Sequence, residues 1–268
     1  MEAPIPLCSA VFTSQSWSLK KCLTPQKTFM PRVLISPHAI HGDSITITDD
    51  GTLHHLLHVL RVSVGDRLEC FDGHGRIYTG SVIRRARREL TLTIDRTIEE
   101  SPAPVAITLA QALIKPERFE WAIQKATELG IARLVPMVTS RTAVRLRAQR
   151  LARWQRIAEE ASSQCGRATV PIIEEPQTFA RVLERRRGCL AILFTLLDGS
   201  PLEEHLPDLK GACEAAILIG PEGDFSPEEV ALAKQHGIRT ARLGRLVLRS
   251  ETAAIATLAI LQHALRNL

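Results

Sequence analysis

The chain has 268 residues, 45 % of them hydrophobic, with 34 basic against 29 acidic side chains and a net charge of +5. No stretch approaches the roughly 20 consecutive apolar residues of a membrane-spanning helix, so the chain reads as soluble and free of membrane partners, and its length allows one large domain or two modest ones. The six cysteines (Cys8, Cys22, Cys70, Cys165, Cys189, Cys213) form no C-x-x-C pair and no regular spacing. That argues against a structural zinc site or a disulfide framework and makes the cytoplasm the expected compartment.

Residues 1–29 differ in composition from the rest of the chain: they hold Lys20, Lys21 and Lys27, no arginine, and Glu2 as their one acid. Met30-Pro31-Arg32 reads as a fresh start, so residues 1–29 are expected to be a disordered leader or a start-site artefact, with an organellar transit peptide as the rival. Residues 30–100 suggest a small β-barrel. Ser44–Thr48 alternates with period two, and short β-type runs at Arg67–Phe71, Gly75–Val82 and Leu90–Ile94 are separated by Asp72-Gly73 and by the basic knot Arg84, Arg85, Arg87, Arg88. Leu53–Leu60 has helical spacing; its His54, His55 and His58 lack an acid or cysteine to complete a metal site and read as solvated or phosphate-facing.

Ser101-Pro102-Ala103-Pro104 is a linker, because two prolines in four residues fit neither a helix interior nor a central strand. Beyond it, residues 105–268 alternate strand and helix, which predicts a parallel sheet with helices on both faces. The expected strands are Val105–Leu113, Ile131–Val138, Val170–Ile173, Cys189–Leu196, Ala215–Ile219 and Thr240–Leu243. The expected helices are Arg118–Leu129, Ala148–Gln164, Phe179–Arg187, one from Pro227 to Gly237, and a closing helix from Glu251. Arg141, Arg145, Arg147, Arg150, Arg153, Arg156 and Arg167 form a second basic cluster. Guanidinium forks match phosphate oxygens. A solvated helix face is the other reading of either cluster, but two clusters in separate regions point towards nucleic acid.

The stretch with most chemistry runs from Ala215 to Leu265. An apolar run breaks into Gly220-Pro221-Glu222-Gly223, and a second ends at Leu243-Gly244 before Arg249-Ser250-Glu251-Thr252. Ligands of open α/β sheets sit beyond the carboxyl ends of the strands. Neither a G-x-G-x-x-G dinucleotide turn nor a G-x-x-x-x-G-K-[ST] phosphate loop is present. Taken alone, the first turn reads more readily as a tight strand-to-helix connection; the second adds charged and hydroxyl groups at the same mouth. Backbone at such turns suits a purine ring and a small zwitterion.

These residues resemble a known family. Ile219–Gly223, Leu243-Gly244 and Leu248–Ala253, together with Gln111-Ala112-Leu113, Lys115, Glu128-Leu129-Gly130, Gln164–Arg167 and Val170-Pro171, are similar to the bacterial 16S ribosomal RNA uracil-N3 methyltransferases of the SPOUT class. Val59-Leu60-Arg61, Gly65-Asp66 and Phe71-Asp72-Gly73 resemble that family's PUA-like domain. The resemblance implies a trefoil-knotted methyltransferase domain over 105–268, a PUA-like RNA-binding domain over 30–100, and an obligate homodimer acting on 16S rRNA of the small subunit. It implies S-adenosylmethionine as cofactor and no metal. The implied cofactor contacts are Leu196, Ile219, Gly220, Glu222, Gly223, Leu243, Gly244, Val247, Leu248 and Arg249. The expected RNA contacts are Arg61, Arg84, Arg85, Arg87, Arg88 and Arg167. This chain departs from the pattern at Asp224, where the family commonly has glycine, and at Arg245-Leu246, where it commonly has Pro-Arg.

Arg249, Glu251 and Glu222 are the candidate catalytic residues. Uracil N3 is a poor nucleophile until its proton leaves, so a base or a cation beside the uracil oxygens is needed. Arg249 would hold phosphate or a uracil oxygen, and Glu251 would orient Arg249 or accept the proton, with Glu222 able to do either. A first-turn acid favoured by the helix dipole is the plainer reading of Glu251. A SPOUT enzyme acting on another base or a ribose 2′-hydroxyl, or a non-catalytic RNA-binding protein of the same fold, are the other readings.

Overall fold

A change from antiparallel to parallel strand pairing divides the chain at Ser101–Pro104. The structure is a computed structural model that describes residues 30–143, 150–186 and 189–267. The expectations for the leader at 1–29, and for Arg145, Arg147 and Arg187, lie outside the described residues.

The N-terminal unit comprises β1 (Arg32–Leu34), β2 (Ile40–His41), β3 (Ser44–Ile47), α1 (Asp50–His54, continuing as a wider turn over His55–Val59), β4 (Arg67–Phe71), β5 (Arg76–Ala86) and β6 (Glu89–Glu99). Its sheet runs β1-β4-β5-β6-β3-β2, antiparallel except for the β1–β4 pair. The period-two pattern sorts side chains to the two faces: Ile45 and Ile47 of β3 are buried beside Leu68, Leu90 and Leu92, while Ser44 and Thr46 are not. Leu53, Leu56 and Leu57 close the same core from the helical segment. The short strands β1 and β2 stand at the two ends of this ladder and do not pair with each other among the described residues. Asp49 starts α1 by accepting a hydrogen bond from Thr52 N at 2.8 Å, and this holds its carboxyl below the usual range.

The C-terminal unit contains β7 (Ala106–Ala112), α2 (Pro116–Glu128), β8 (Arg133–Val138), α3 (Arg150–Cys165), β9 (Ile172–Ile173), β10 (Gln177–Thr178), α4 (Phe179–Arg185), β11 (Leu190–Phe194), β12 (Ser200–Pro201), α5 (Leu206–Lys210), β13 (Glu214–Ile219), α6 (Pro227–Gln235), β14 (Arg239–Arg242) and α7 (Ser250–Ala264). All pairings are parallel, in the order β10-β8-β7-β13-β11-β14-β12, with β9 beside β8. Alternate residues of the central strands serve two cores. Leu109, Ile192, Phe194, Ile217 and Ile219 face α2, α3 and α7, while Ala110, Ala191, Leu193, Ala216 and Leu218 face α4 and α6. Helices therefore cover both faces, as the alternation of elements predicts.

Chain punctuation follows local chemistry. Gly130 and Gly237 end α2 and α6 with φ of 80° and 77°. Ser226 and Glu229 form the capping box of α6. Glu229 also accepts a hydrogen bond from Ser140 N at 2.7 Å, tying that helix start to the turn after β8.

The two units meet through backbone. Val170 N donates to Gly73 O at 2.9 Å, Gly75 N to Ala168 O at 3.2 Å, and Ala168 N to the Glu100 carboxylate at 3.0 Å. Two short motifs that the sequence sets about 90 residues apart, Phe71-Asp72-Gly73 and Cys165–Val170, are thus one seam. Cys70 lies buried in the core of the N-terminal unit, and burial pushes its thiol up to about 12. The heart of the larger core is the Phe119–Trp154 pair, with ring centroids 4.8 Å apart. Trp154→Ala is expected to lower unfolding free energy by about 3–5 kcal/mol, measured as a shift in the urea midpoint.

Candidate active site

The order of the parallel sheet reverses around β13, which lies between β7 and β11, and such a switch point opens a crevice at the carboxyl ends. There the ends of β11, β13 and β14 surround a hollow with about 590 Å³ of atom-free space, part of it open to solvent. Its size and mainly apolar wall suit a small organic ligand. Leu196, Ile219, Leu243 and Leu248 supply aliphatic surface, and Gly220 and Gly244 supply bare backbone. Each glycine has a physical reason. A Cβ on Gly220 would stand 3.2 Å from the Phe225 ring, and Gly244 has φ of 155°, which side-chain-bearing residues rarely adopt.

Of the ten cofactor residues expected from sequence, Leu196, Ile219, Gly220, Glu222, Leu243, Gly244, Val247 and Leu248 line this hollow. Gly223 and Arg249 do not. Gly223 turns its carbonyl to Arg141, whose Nη1 donates to it at 2.6 Å. Arg249 is exposed at the N-cap of α7. The wall also includes Asp224, Leu246 and Ser250, which the motifs name without giving them a cofactor contact, and Thr195 and Arg242, which motif reading passes over.

A hydrogen-bond chain forms the floor. Gln111 Nε2 at the end of β7 donates to Ala112 O at 3.0 Å and to Ser250 Oγ at 2.8 Å, and Ser250 Oγ donates to Gly220 O. The final helix is thereby fixed to the ends of the two central strands. Asp224, the first departure from the family pattern, has φ of 60°. That left-handed backbone explains the usual glycine, and Asp is among the few other residues that tolerate it.

The candidate acids are joined by a residue the sequence did not single out. Arg118 of α2 lies between them, its Nη1 3.7 Å from Glu222 Oε1 and its Nε 3.6 Å from Glu251 Oε1. Glu251 is 8 % exposed, and its Oε2 is buried without a hydrogen-bond partner among the described residues. Its carboxylate is therefore partnered by Arg118, where the sequence offered Arg249. Only tertiary structure could reveal this, since α2 and α7 are widely separated in the chain.

Arg84, Arg85, Arg87 and Arg88 lie at the tip of the β5–β6 hairpin and are all exposed, with only Arg84 paired among the described residues, 3.4 Å from Glu89. Arg61 is exposed after the α1 segment. Arg167 sits elsewhere. Its Nη1 donates to Thr127 O and its Nη2 to Ile131 O, each at 2.9 Å, and its Nε to Thr169 Oγ1 at 3.2 Å. All three nitrogens serve the end of α2 and the seam, and burial lowers its pKa. Its bonds make it a structural guanidinium, where the sequence suggested an RNA contact. Among the described members of the second basic cluster, Arg153 makes a two-pronged pair with Glu120 and Arg156 pairs with Glu160, both at the surface.

A parallel sheet with a nucleoside-scale hollow at its switch point, seamed to a β unit carrying an arginine-tipped hairpin, has the build of an RNA-modifying enzyme. Known proteins agree. A family model described as an RNA methyltransferase domain matches residues 101–262, and one described as an RNA methyltransferase PUA domain matches residues 42–95. Ribosomal RNA small subunit methyltransferase E of Synechocystis sp. is 33 % identical over 231 residues, spanning 85 % of this chain and 76 % of that relative. The crystal structure of the Neisseria gonorrhoeae protein of that name, bound to S-adenosyl methionine, superposes with a TM-score of 0.79 at 28 % identity, covering 87 % of this chain and 97 % of that one. A Legionella pneumophila protein solved with the cofactor SAM gives 0.79 at 30 % identity, covering 88 % and 98 %. The chain belongs to the ribosomal RNA small subunit methyltransferase E family of RNA methyltransferases.

Replacing Arg167 by Met is expected to cost about 1–3 kcal/mol by stranding the carbonyls it serves, read from chemical denaturation. The salt slope of rRNA binding should stay as in the native chain.

Proposed function

We propose that the chain methylates N3 of a uridine in 16S ribosomal RNA of the small subunit, with S-adenosylmethionine held in the hollow. The donor set fits this cofactor: aliphatic walls for a purine, backbone free of Cβ at Gly220 and Gly244 for close approach, and polar groups at the mouth. Leu196, Ile219, Gly220, Glu222, Leu243, Gly244, Val247 and Leu248 would hold it, with Gly223 and Arg249 flanking. When bound, the cofactor supplies an electrophilic methyl group.

The chain must do the rest. N3 lies on the pairing edge of uracil, so the base has to enter unpaired or flipped. Its proton must go to a base within hydrogen-bond reach. The observation that carries this reading is Glu251 Oε2, an acceptor buried beside the pocket floor with no protein donor among the described residues. Arg118 steadies the opposite oxygen, and Glu222 extends the acidic edge onto the pocket wall. Arg249, exposed one residue before Ser250, would meet phosphate or a uracil oxygen. Arg249→Ala is expected to lower methyl transfer at least about 100-fold while leaving cofactor affinity within two- to three-fold. Primer extension on treated small-subunit rRNA reads the first quantity, since an N3-methyl stops the polymerase, and calorimetry reads the second. Full activity in that variant would remove Arg249 from the mechanism.

In this reading residues 30–100 are a PUA-like grip on rRNA, with Arg61 and the hairpin arginines on phosphate, and residues 105–268 are the SPOUT methyltransferase domain. The return of α7 past the ends of β7 and β13 would be the trefoil crossing. Changing Arg85, Arg87 and Arg88 together to Ala should flatten the log–log salt dependence of rRNA binding by up to about three units; an unaltered slope would move the grip elsewhere.

The working form would be a cytoplasmic homodimer. Support comes from an apolar cluster at the pocket mouth, where Leu246, Val247, Leu196 and Leu197 are 79 %, 77 %, 55 % and 53 % exposed. Soluble proteins cover such patches with a partner. Leu246→Glu combined with Val247→Glu is expected to give a monomer by light scattering.

A further inference from the structure

Asp224 does more than fill a glycine position. Its Oδ2 accepts hydrogen bonds from Thr195 Oγ1 and from Leu196 N, each at 2.9 Å, and its Oδ1 accepts one from Phe225 N at 2.8 Å. Thr195, Leu196 and Asp224 all line the hollow. The carboxylate is half-buried, and among the described residues no cation lies within ion-pair distance of it. The other charged groups lining the hollow are Glu222 and Arg242, both exposed. Three donors thus hold one negative charge at a fixed point in a mainly apolar wall, where a ligand feels it more strongly than in water.

The left-handed backbone at 224 asks only for a residue that accepts positive φ, and glycine meets that demand with no charge. The carboxylate is therefore an addition to what the turn requires. We propose that Asp224 is a specificity-determining residue that separates the charged methyl donor from its neutral-sulfur product. S-adenosylmethionine carries a sulfonium cation; S-adenosylhomocysteine has a thioether and one positive charge fewer. A fixed anion in the wall favours the first over the second, holding the donor and easing release of the product. The inference rests on the reading of the hollow as the cofactor pocket.

Calorimetric titration of the full chain with S-adenosylmethionine, S-adenosylhomocysteine and sinefungin, whose amine supplies the cation without a sulfonium, tests it without turnover. Asp224→Asn keeps a residue tolerant of the backbone and one oxygen acceptor; Asp224→Gly relieves the backbone entirely. In both variants the preference for S-adenosylmethionine over S-adenosylhomocysteine should fall about five- to ten-fold, with sinefungin weakening alongside S-adenosylmethionine. Raised salt should compress the native preference less than it would an exposed charge. Equal weakening of all three ligands would reduce Asp224 to a brace between the two turns and overturn the proposal, as would unchanged affinities. If none of the three binds the native chain, the pocket reading itself fails, and the inference falls with it.

Discussion

The hydrogen-bond chain from Gln111 through Ser250 to the carbonyl of Gly220 is the constraint on which the rest of the site depends. Each partner is buried or backbone, and each comes from a different part of the chain. Gln111 is the penultimate residue of the first strand of the parallel sheet, Gly220 directly follows the strand that joins its two halves, and Ser250 begins the last helix. A buried polar group without a partner costs more than its bond gains when made, so the three positions are held together by penalty as much as by attraction. Once they are fixed, the 220–224 turn and the 243–249 segment face each other over one hollow. Glu251 comes one residue after Ser250 and is carried to the same edge, where Arg118 meets it from the side of α2.

The wall of that hollow shows how a turn with one backbone requirement can carry extra chemistry. Positive φ at 224 is a steric demand, and the hydrogen bonds of Asp224 to Thr195 and Leu196 are a separate gain that glycine lacks. The second departure, Arg245-Leu246, falls on an exposed segment in which Leu246 contributes to the lining and Arg245 does not. Neither change disturbs the Gly220–Ser250 tie, which explains how both are accommodated by an otherwise recognisable pocket.

Much of this architecture is legible from sequence because it is written in local rules. Apolar runs of five to seven residues mark β7, β11 and β13, glycine marks the ends of α2 and α6, and the Ser226–Glu229 box marks a helix start to the residue. The two-residue strands β10 and β12 and the short α5 escape because they are shorter than any period that could announce them. In the site, glycine turns are visible in the chain and the partners of charged groups are not. Arg167 has the same side chain as Arg88, yet one is folded into carbonyls while the other stands in solvent. Charge is a property of the residue, whereas burial belongs to the whole fold. Arg118 escapes for the same reason, since nothing near it in the chain names Glu222 or Glu251 as its neighbours.

The seam between the units is made of main chain: Val170 to Gly73, Gly75 to Ala168, and a carboxylate on the Ala168 amide. A proline linker alone would leave the hairpin to swing at the end of a tether. Backbone pairing on a second, distant segment gives the arm a second point of attachment, so the linker does not alone set where the hairpin stands. With the hairpin as the grip on rRNA proposed above, such an arm would let the protein choose its nucleotide by length, as a ruler does.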